Sequence, residues 1–258
     1  MFFFDLRFDA AEVQRLYAGY RGKHYVEVRE KFEPNYRLIN DRIGNNPAEI
    51  ANRHQFMETV LAKGRIEPKK ILDWGGDRGV FVPPGLRKAK VCIYDVSGAR
   101  PLEGMTTVAQ DDQEAPYDLI ICTHVLEHMS EPLALTRRLR DLVVPGGHIY
   151  FEVPMDMRIQ AFLWSRFFRW VRMPLPWWMH EHINFYSRKP ITNLLYAAGL
   201  ELIEYRLQLV DFGWIRFPTI GFLARRPLAD EILIKGKAGA GGELLRFISI
   251  FLRRKYLK

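Results

Sequence analysis

The apolar and polar positions follow two rhythms. Residues 1–43 are rich in Tyr, Arg and Phe and show only weak helical periodicity, around Ala10–Glu30. From Asn45 a clear helix is predicted. Asn46 serves as N-cap, Pro47 takes the first helical position, and Glu49 is placed to complete a capping box. Ile50, Met57, Val60 and Leu61 then share one face, and Gly64 is the stop. Beyond Gly64 short apolar strands alternate with helices. KKILDW (69–74), KVCIYD (90–95), the weaker MTTVAQ (105–110), YDLIICTH (117–124) and HIYFEVP (148–154) read as strands. YDLIICTH is strongly apolar, as a strand covered on both faces should be. Ser130 is read as the cap of a helix from Glu131 to about Val143, ended by VPGG at 144–147. This alternation predicts a doubly wound α/β sheet.

Residues 155–180 break the rhythm with FLWSRFFRWVRMPLPWW, an aromatic and basic segment. Ser187 then opens a helix carrying Ile191, Leu194 and Leu195, closed by Gly199. Strand-like ELIEYRLQLV (201–210) and WIRFPTIGFLARR (214–226) follow. The glycine-rich GKAGAGG (236–242) leads into a basic amphipathic helix, ELLRFISIFLRRKYLK. The predicted organisation is an N-terminal helical extension and substrate lid over 1–66, a binding domain over 67–227 that includes the aromatic insert, and a basic tail over 228–258.

Composition narrows the classes. A chain of 258 residues, 48% hydrophobic and 26% charged, suits one good-sized core with elaborations. No apolar run reaches the roughly 18–20 residues of a transmembrane helix, and Asp5 and Arg7 interrupt the apolar start, so no export signal is expected. Cys92 and Cys122 fall inside predicted strands with no Cys-x-x-Cys pair; reduced core thiols are expected, and neither a disulfide nor a metal site. The net charge of +8 points to an anionic partner or to a merely solvated surface.

Three motifs carry chemistry. In ILDWGGDRG (71–79) a buried strand ends in an acid, and Gly75, Gly76 and Gly79 let the chain turn and a ligand approach the backbone. Asp95 ends the next strand 22 residues after Asp73, near the spacing of an acid that binds ribose hydroxyls. The third motif is YDLIICTHVLEHMSEP (117–132). Together with VPGGHIYFEVP, these motifs resemble class I S-adenosylmethionine (AdoMet)-dependent methyltransferases. HEHINFYSRKPITNLLYAAGLELIEYR narrows the resemblance to the branch associated with sugar and cell-surface polysaccharide biosynthesis. The resemblance covers roughly residues 70–205. It implies an α/β, Rossmann-like, seven-stranded sheet with an N-terminal helical extension and an aromatic lid insert.

The resemblance places Asp73 by the amino acid moiety of AdoMet, lined by Gly75, Gly76 and Gly79, with Asp95 on the ribose. Asp112 is assigned to the adenine amine, and Thr123 and His124 to the methionine end. The central glycine usual in the loop is replaced by Asp77. The short stretch from Gly79 to Lys90, with Pro83 and Pro84, predicts a reduced first crossover helix. For an oxygen or carbon acceptor the enzyme must remove a proton. His182 is the preferred base, with Glu181 assisting and His180, His124 and His128 as alternatives; a structural role for His128 at a helix start is the competing reading.

The expected reaction is methylation, at oxygen first, of a sugar or polysaccharide precursor carried on a nucleotide or lipid phosphate. A small aromatic or lipid-like acceptor such as a quinone precursor is the alternative. Also weighed are a non-catalytic AdoMet-binding protein, an RNA methyltransferase and a nicotinamide enzyme. A sugar-containing or phosphate-bearing partner, no DNA, a possible oligomer, and a cytoplasmic location with peripheral contact to an anionic membrane through the insert and tail complete the expectations.

Overall fold

The structure is a computed structural model and describes residues 2–3, 9–17, 19–20, 22–32, 36–41, 44–109, 116–155, 182–211, 216–229 and 231. Asp112, His180, Glu181, the aromatic segment at 156–181 and the basic C-terminal helix lie outside the described residues, as do the roles expected of them. No helix among the described residues is long and apolar enough to cross a membrane.

One sheet is built from seven strands. They are β2 (Lys70–Trp74), β3 (Lys90–Tyr94), β4 (Met105–Thr107), β5 (Tyr117–Thr123), β6 (Val143–Pro154), β8 (Glu201–Asp211) and β9 (Arg216–Arg225). Their order across the sheet is β4-β3-β2-β5-β6-β9-β8. The first five run parallel; β9 is antiparallel to both β6 and β8. A separate pair joins β1 (Phe2–Phe3) to β7 (Asn184–Phe185). Because side chains alternate along a strand, each central strand feeds two cores. Ile71, Ile93, Leu119 and Ile121 pack with Met57, Val60 and Leu61 of helix α4 (Pro47–Leu61) on one face. Leu72, Cys92, Ile120 and Cys122 pack on the other with Leu135 and Leu139 of α5 (Pro132–Leu142) and Leu195 of α6 (Arg188–Ala197). Both cysteines are buried and free.

The N-terminal stretch contributes α1 (Ala10–Tyr17), α2 (Lys23–Phe32) and the short α3 (Tyr36–Asn40). The crossover from β2 to β3 is reduced to one 3-10 turn at Pro84–Leu86, as the paired prolines predict.

Three local expectations are corrected. Asn46 caps α4 by accepting the Ala48 N–H at 3.0 Å, but Glu49 forms no capping box. It points inward at 2% exposure beside Arg53, so the buried face of α4 carries charge, while Ile50 is only half-buried. Glu131 rather than Ser130 occupies the N-cap of α5, because Pro132 starts the helix and holds its predecessor extended. The VPGG segment is already part of β6: Val143 pairs with Tyr117 before the register shifts. The guanidinium of Arg226 donates to the Val143 carbonyl at 2.7 Å, and the Gly146 N–H to the Arg226 carbonyl at 2.8 Å, tying this irregular start to the end of β9.

Candidate active site

In an open α/β sheet the crevice lies outside the carboxyl ends of the parallel strands, where the crossovers depart to opposite sides. Here that point is the junction of β2, β3 and β5. β2 delivers Asp73, 2% exposed, whose Oδ1 has no hydrogen-bond partner. The loop that follows folds against this carboxylate. Gly75 has φ 73° and donates its N–H to the Tyr94 carbonyl at 2.7 Å. A Cβ on Gly76 would collide with the Asp73 carboxylate. We therefore expect Gly76→Ala to displace the Asp73 carboxylate and weaken AdoMet binding at least about 10-fold, measured calorimetrically. Unchanged affinity would remove this loop from the site.

Asp77 explains how the loop manages without its usual glycine. It adopts φ 50°, a region that Asp visits more readily than most residues. Its N–H donates to Asp95 Oδ2 at 2.7 Å, and its Oδ1 accepts from Ser97 Oγ at 3.2 Å. Asp95 Oδ1 accepts the Ser97 N–H at 2.7 Å. Asp95 thus pins the loop through one oxygen and its own following turn through the other, leaving further lone pairs for ligand hydroxyls. Burial, then the nearby Asp95 charge, push the Asp73 carboxyl up to about 7, with Arg53 opposing and Asp77 adding to the rise.

On the other side of the crevice β5 ends at the buried Thr123, and His124 follows with φ 55°. Its imidazole lies between two buried carboxylates, donating from Nδ1 to Glu127 Oε1 at 3.2 Å and from Nε2 to Glu152 Oε1 at 3.1 Å. Both bonds can be donated only by the charged ring. Burial and Arg53 oppose that charge, but the two carboxylate bonds win and raise the His124 pKa. With both nitrogens engaged, His124 is not placed to take a proton from a substrate. Glu152 also accepts from Arg53 Nη2 at 3.0 Å and from the Tyr150 hydroxyl at 2.8 Å. Arg53 stacks over Phe81, 3.7 Å from the ring centre. A buried chain of alternating charge therefore runs from α4 to the site: Glu49, Arg53, Glu152, His124, Glu127.

Sequence reading missed Glu49, Arg53, Glu127 and Glu152. Position 53 lies at helical spacing from Met57 and Val60, with Glu49 four residues before it, but spacing alone does not tell that a charged pair there turns inward.

The third part of the site joins a 3-10 turn, Leu126–His128, to the segment starting at His182. The Ile183 N–H donates to the Glu127 carbonyl at 2.9 Å, and the Asn184 amide donates to the carbonyls of Leu126 and Met129 at 3.2 and 2.7 Å. His128 and His182 meet edge to face, ring centres 4.8 Å apart, and Tyr17 of α1 packs on His128 at 5.8 Å. Tyr20, Tyr25 and Tyr36 continue this aromatic row along the N-terminal helices. Burial first, and His128 next, push His182 down to about 3, so its ring is neutral at physiological pH. Burial would raise Glu127, but His124 and His128 bring it down to about 2. Of the sequence-predicted residues, then, Asp73, Gly75, Gly76, Gly79, Asp95, Thr123 and His124 surround the strand ends, and His182 reaches the crevice from a distant part of the chain.

A family model described as "Methyltransferase domain" matches residues 45–205. Among curated proteins, a ubiquinone biosynthesis O-methyltransferase from Acinetobacter baylyi is 23% identical over 158 residues, 54% of this chain and 66% of that protein. One of the same name from Aliivibrio fischeri is 28% identical over 151 residues, 52% of this chain and 64% of that protein. The match thus spans just under two thirds of these relatives. Among solved structures, the chain resembles 1,6-didemethyltoxoflavin-N1-methyltransferase from Burkholderia thailandensis, solved with bound 1,6-didemethyltoxoflavin and S-adenosylhomocysteine. That likeness has TM-score 0.54 at 16% identity, over 87% of this chain and 94% of that one. Magnesium protoporphyrin IX methyltransferase from Synechocystis, bound to S-adenosylhomocysteine, gives TM-score 0.51 at 17% identity, over 78% and 98%. At these identities the structural likeness speaks for the fold.

Proposed function

The chain belongs to the methyltransferase-domain family and is an AdoMet-dependent methyltransferase, and from that premise we propose that it methylates a hydroxyl oxygen of a small phenolic acceptor of the quinone-precursor class. The observation that carries this reading is the row of aromatic rings leading from Tyr36 through Tyr25, Tyr20 and Tyr17 to His128 and His182. Such edges suit a flat apolar acceptor whose hydroxyl must reach a neutral imidazole. The names of the curated relatives support the same class. They give no support to the sugar or polysaccharide precursor that the motifs suggested.

The residues present fit the cofactor. The orphaned Asp73 Oδ1, in a crevice crowded by Asp77 and Asp95, is what a bound ammonium would satisfy. Asp95 would take the ribose hydroxyls, Gly75 and Gly76 would admit the ligand to the backbone, and Thr123 and His124 would border the methionine end. When bound, AdoMet supplies an electrophilic methyl group on a sulfonium. The protein's task is to align the acceptor oxygen and take its proton. With its pKa down at about 3, His182 is too weak a base to carry the proton away; neutral and beside His128, it would hold the acceptor hydroxyl in line under a lid formed by the N-terminal helices.

Incubation of the full chain with AdoMet and, in parallel, a catechol or quinone precursor, sugar nucleotides and RNA tests the reading. Transfer to the phenol is expected; transfer to a sugar nucleotide in its place would overturn it. His182→Ala should lower kcat on the phenol by about 100-fold or more with the Kd for AdoMet unchanged, and an unaltered kcat would remove His182 from the acceptor side of the site.

A further inference from the structure

Glu127, His128 and His182 each offer one donor atom, and these three atoms all lie within 4.8 Å of one another. Glu127 Oε1 stands 3.9 Å from His128 Nε2. Donors about 2.0–2.2 Å from a shared ion lie roughly 3–4 Å apart, so small side-chain rotations close the set. The two imidazoles and one carboxylate come from two chain segments locked together by backbone and Asn184 bonds, which is how a ligand set is held ready. A second observation points the same way. Glu127 is 1% exposed, one of its oxygens is bonded to His124, and Oε2 has no hydrogen-bond partner. A buried, ionised carboxylate oxygen without a partner is costly unless a cation meets it.

We propose that Glu127, His128 and His182 form a site for one divalent transition-metal ion at the acceptor side of the crevice. Two imidazole nitrogens and one carboxylate oxygen favour a borderline ion such as zinc or cobalt over magnesium, calcium or manganese. Three protein ligands leave coordination positions open, as catalytic rather than structural sites do. The expectation of no metal rests on cysteine spacing, and this set contains no cysteine. The inference builds on the proposed acceptor. Adjacent oxygens of a catechol would take the open positions, and the ion would lower the pKa of the bound hydroxyl, as metals do for bound water. The hydroxyl proton would then leave to solvent. The oxygen forms its bond to the methyl carbon as the carbon–sulfur bond breaks, and the electron pair stays on sulfur. His182 is then a ligand, and its loss from the variant above would act through the ion.

The test uses the full chain stripped with chelator. Titration with Zn2+ alone, followed calorimetrically, and with Co2+ alone, followed by visible absorption, is expected to give one equivalent. His128→Ala and His182→Ala should each weaken binding at least 10-fold while AdoMet still binds, which shows that the variants fold. The absence of stoichiometric binding, or equal binding by the double variant, would overturn the site. Chelator-resistant phenol methylation at full rate would overturn the role of the ion and leave the methyltransferase reading standing. One equivalent of Zn2+ with no turnover of any phenol would support the site and reject the acceptor.

Discussion

Asp73→Asn is expected to abolish AdoMet binding and, in the same protein, to raise the stability of the ligand-free fold at neutral and alkaline pH. Both effects have one cause. Asp73 is buried at the end of β2, faces the Asp95 and Asp77 charges, and has an oxygen with no partner. Its folded-state carboxyl is raised from 3.8 to about 7, so between those values the folded protein holds a proton that the unfolded chain has lost. Stability therefore falls as pH rises across that window and stays lower above it. The rise corresponds to roughly 4 kcal/mol as an upper bound, which relaxation around the site will reduce. Asn has the same shape and no charge. Its melting temperature should exceed that of the wild type at pH 8 and converge with it near pH 4. AdoMet affinity of the variant should fall by about 100-fold or more above pH 7, the gap narrowing as pH falls and the wild-type carboxyl takes up its proton. Wild-type affinity should increase as pH climbs through about 7, because the ligand's ammonium prefers the ionised carboxylate. Coincident melting curves at pH 8, or retained AdoMet binding, would show that Asp73 does not hold this position.

The second large effect is destabilisation by Arg53→Met. Arg53 is 5% exposed, bonds Glu152 at 3.0 Å, lies 3.8 Å from Glu49 and stacks on Phe81. Removing one partner of a buried ion pair costs about 3–5 kcal/mol, because the other is left charged in an apolar setting. For a chain of this size that is a fall on the order of 10 °C in melting temperature. The pH dependence identifies the cause. Burial would raise Glu152, but Arg53 and the bond to His124 bring it down to about 2. In the wild type this group contributes stability that is present above its unfolded value of 4.5 and lost as pH falls through about 2. Without Arg53 the carboxyl can take up a proton well above that range, and doing so relieves the burial cost. The gap between variant and wild type should therefore be widest near pH 8 and shrink toward pH 4.5. A gap independent of pH would assign the loss to packing against Phe81 alone.

The two residues differ in how far local sequence reveals them. Strand positions are readable because a strand covered on both faces is strongly apolar, as the Leu119–Cys122 run of YDLIICT is, and because glycines and prolines mark where such strands stop. The glycine loop proposed to hold the cofactor, with Asp73 at its head, is readable for the same local reason. An acid at a strand end followed by Gly75, Gly76 and Gly79 is a backbone requirement, and Asp95 repeats it on the next strand at a fixed distance in sequence. Asp77 stands out in the sequence as a departure, but only its φ and its bonds to Asp95 and Ser97 show how the turn accepts a side chain.

Arg53 belongs to the other kind. Apolar periodicity misreads the charged face of α4, because it finds the stripe and passes over the exceptions within it. Whether Glu49 and Arg53 point inward depends on Glu152, which arrives from a strand about a hundred residues later. The same holds for Glu127, His128 and His182, contributed by two segments that β7 and Asn184 bring together. Sequence by itself thus determined the α/β class, the alternation of elements and the glycine loop after β2, since these follow from local periodicity and backbone freedom. The tertiary structure alone decided which ionisable groups meet at the strand ends. Their burial and mutual charge, and hence their protonation, depend on neighbours that sequence distance does not reveal.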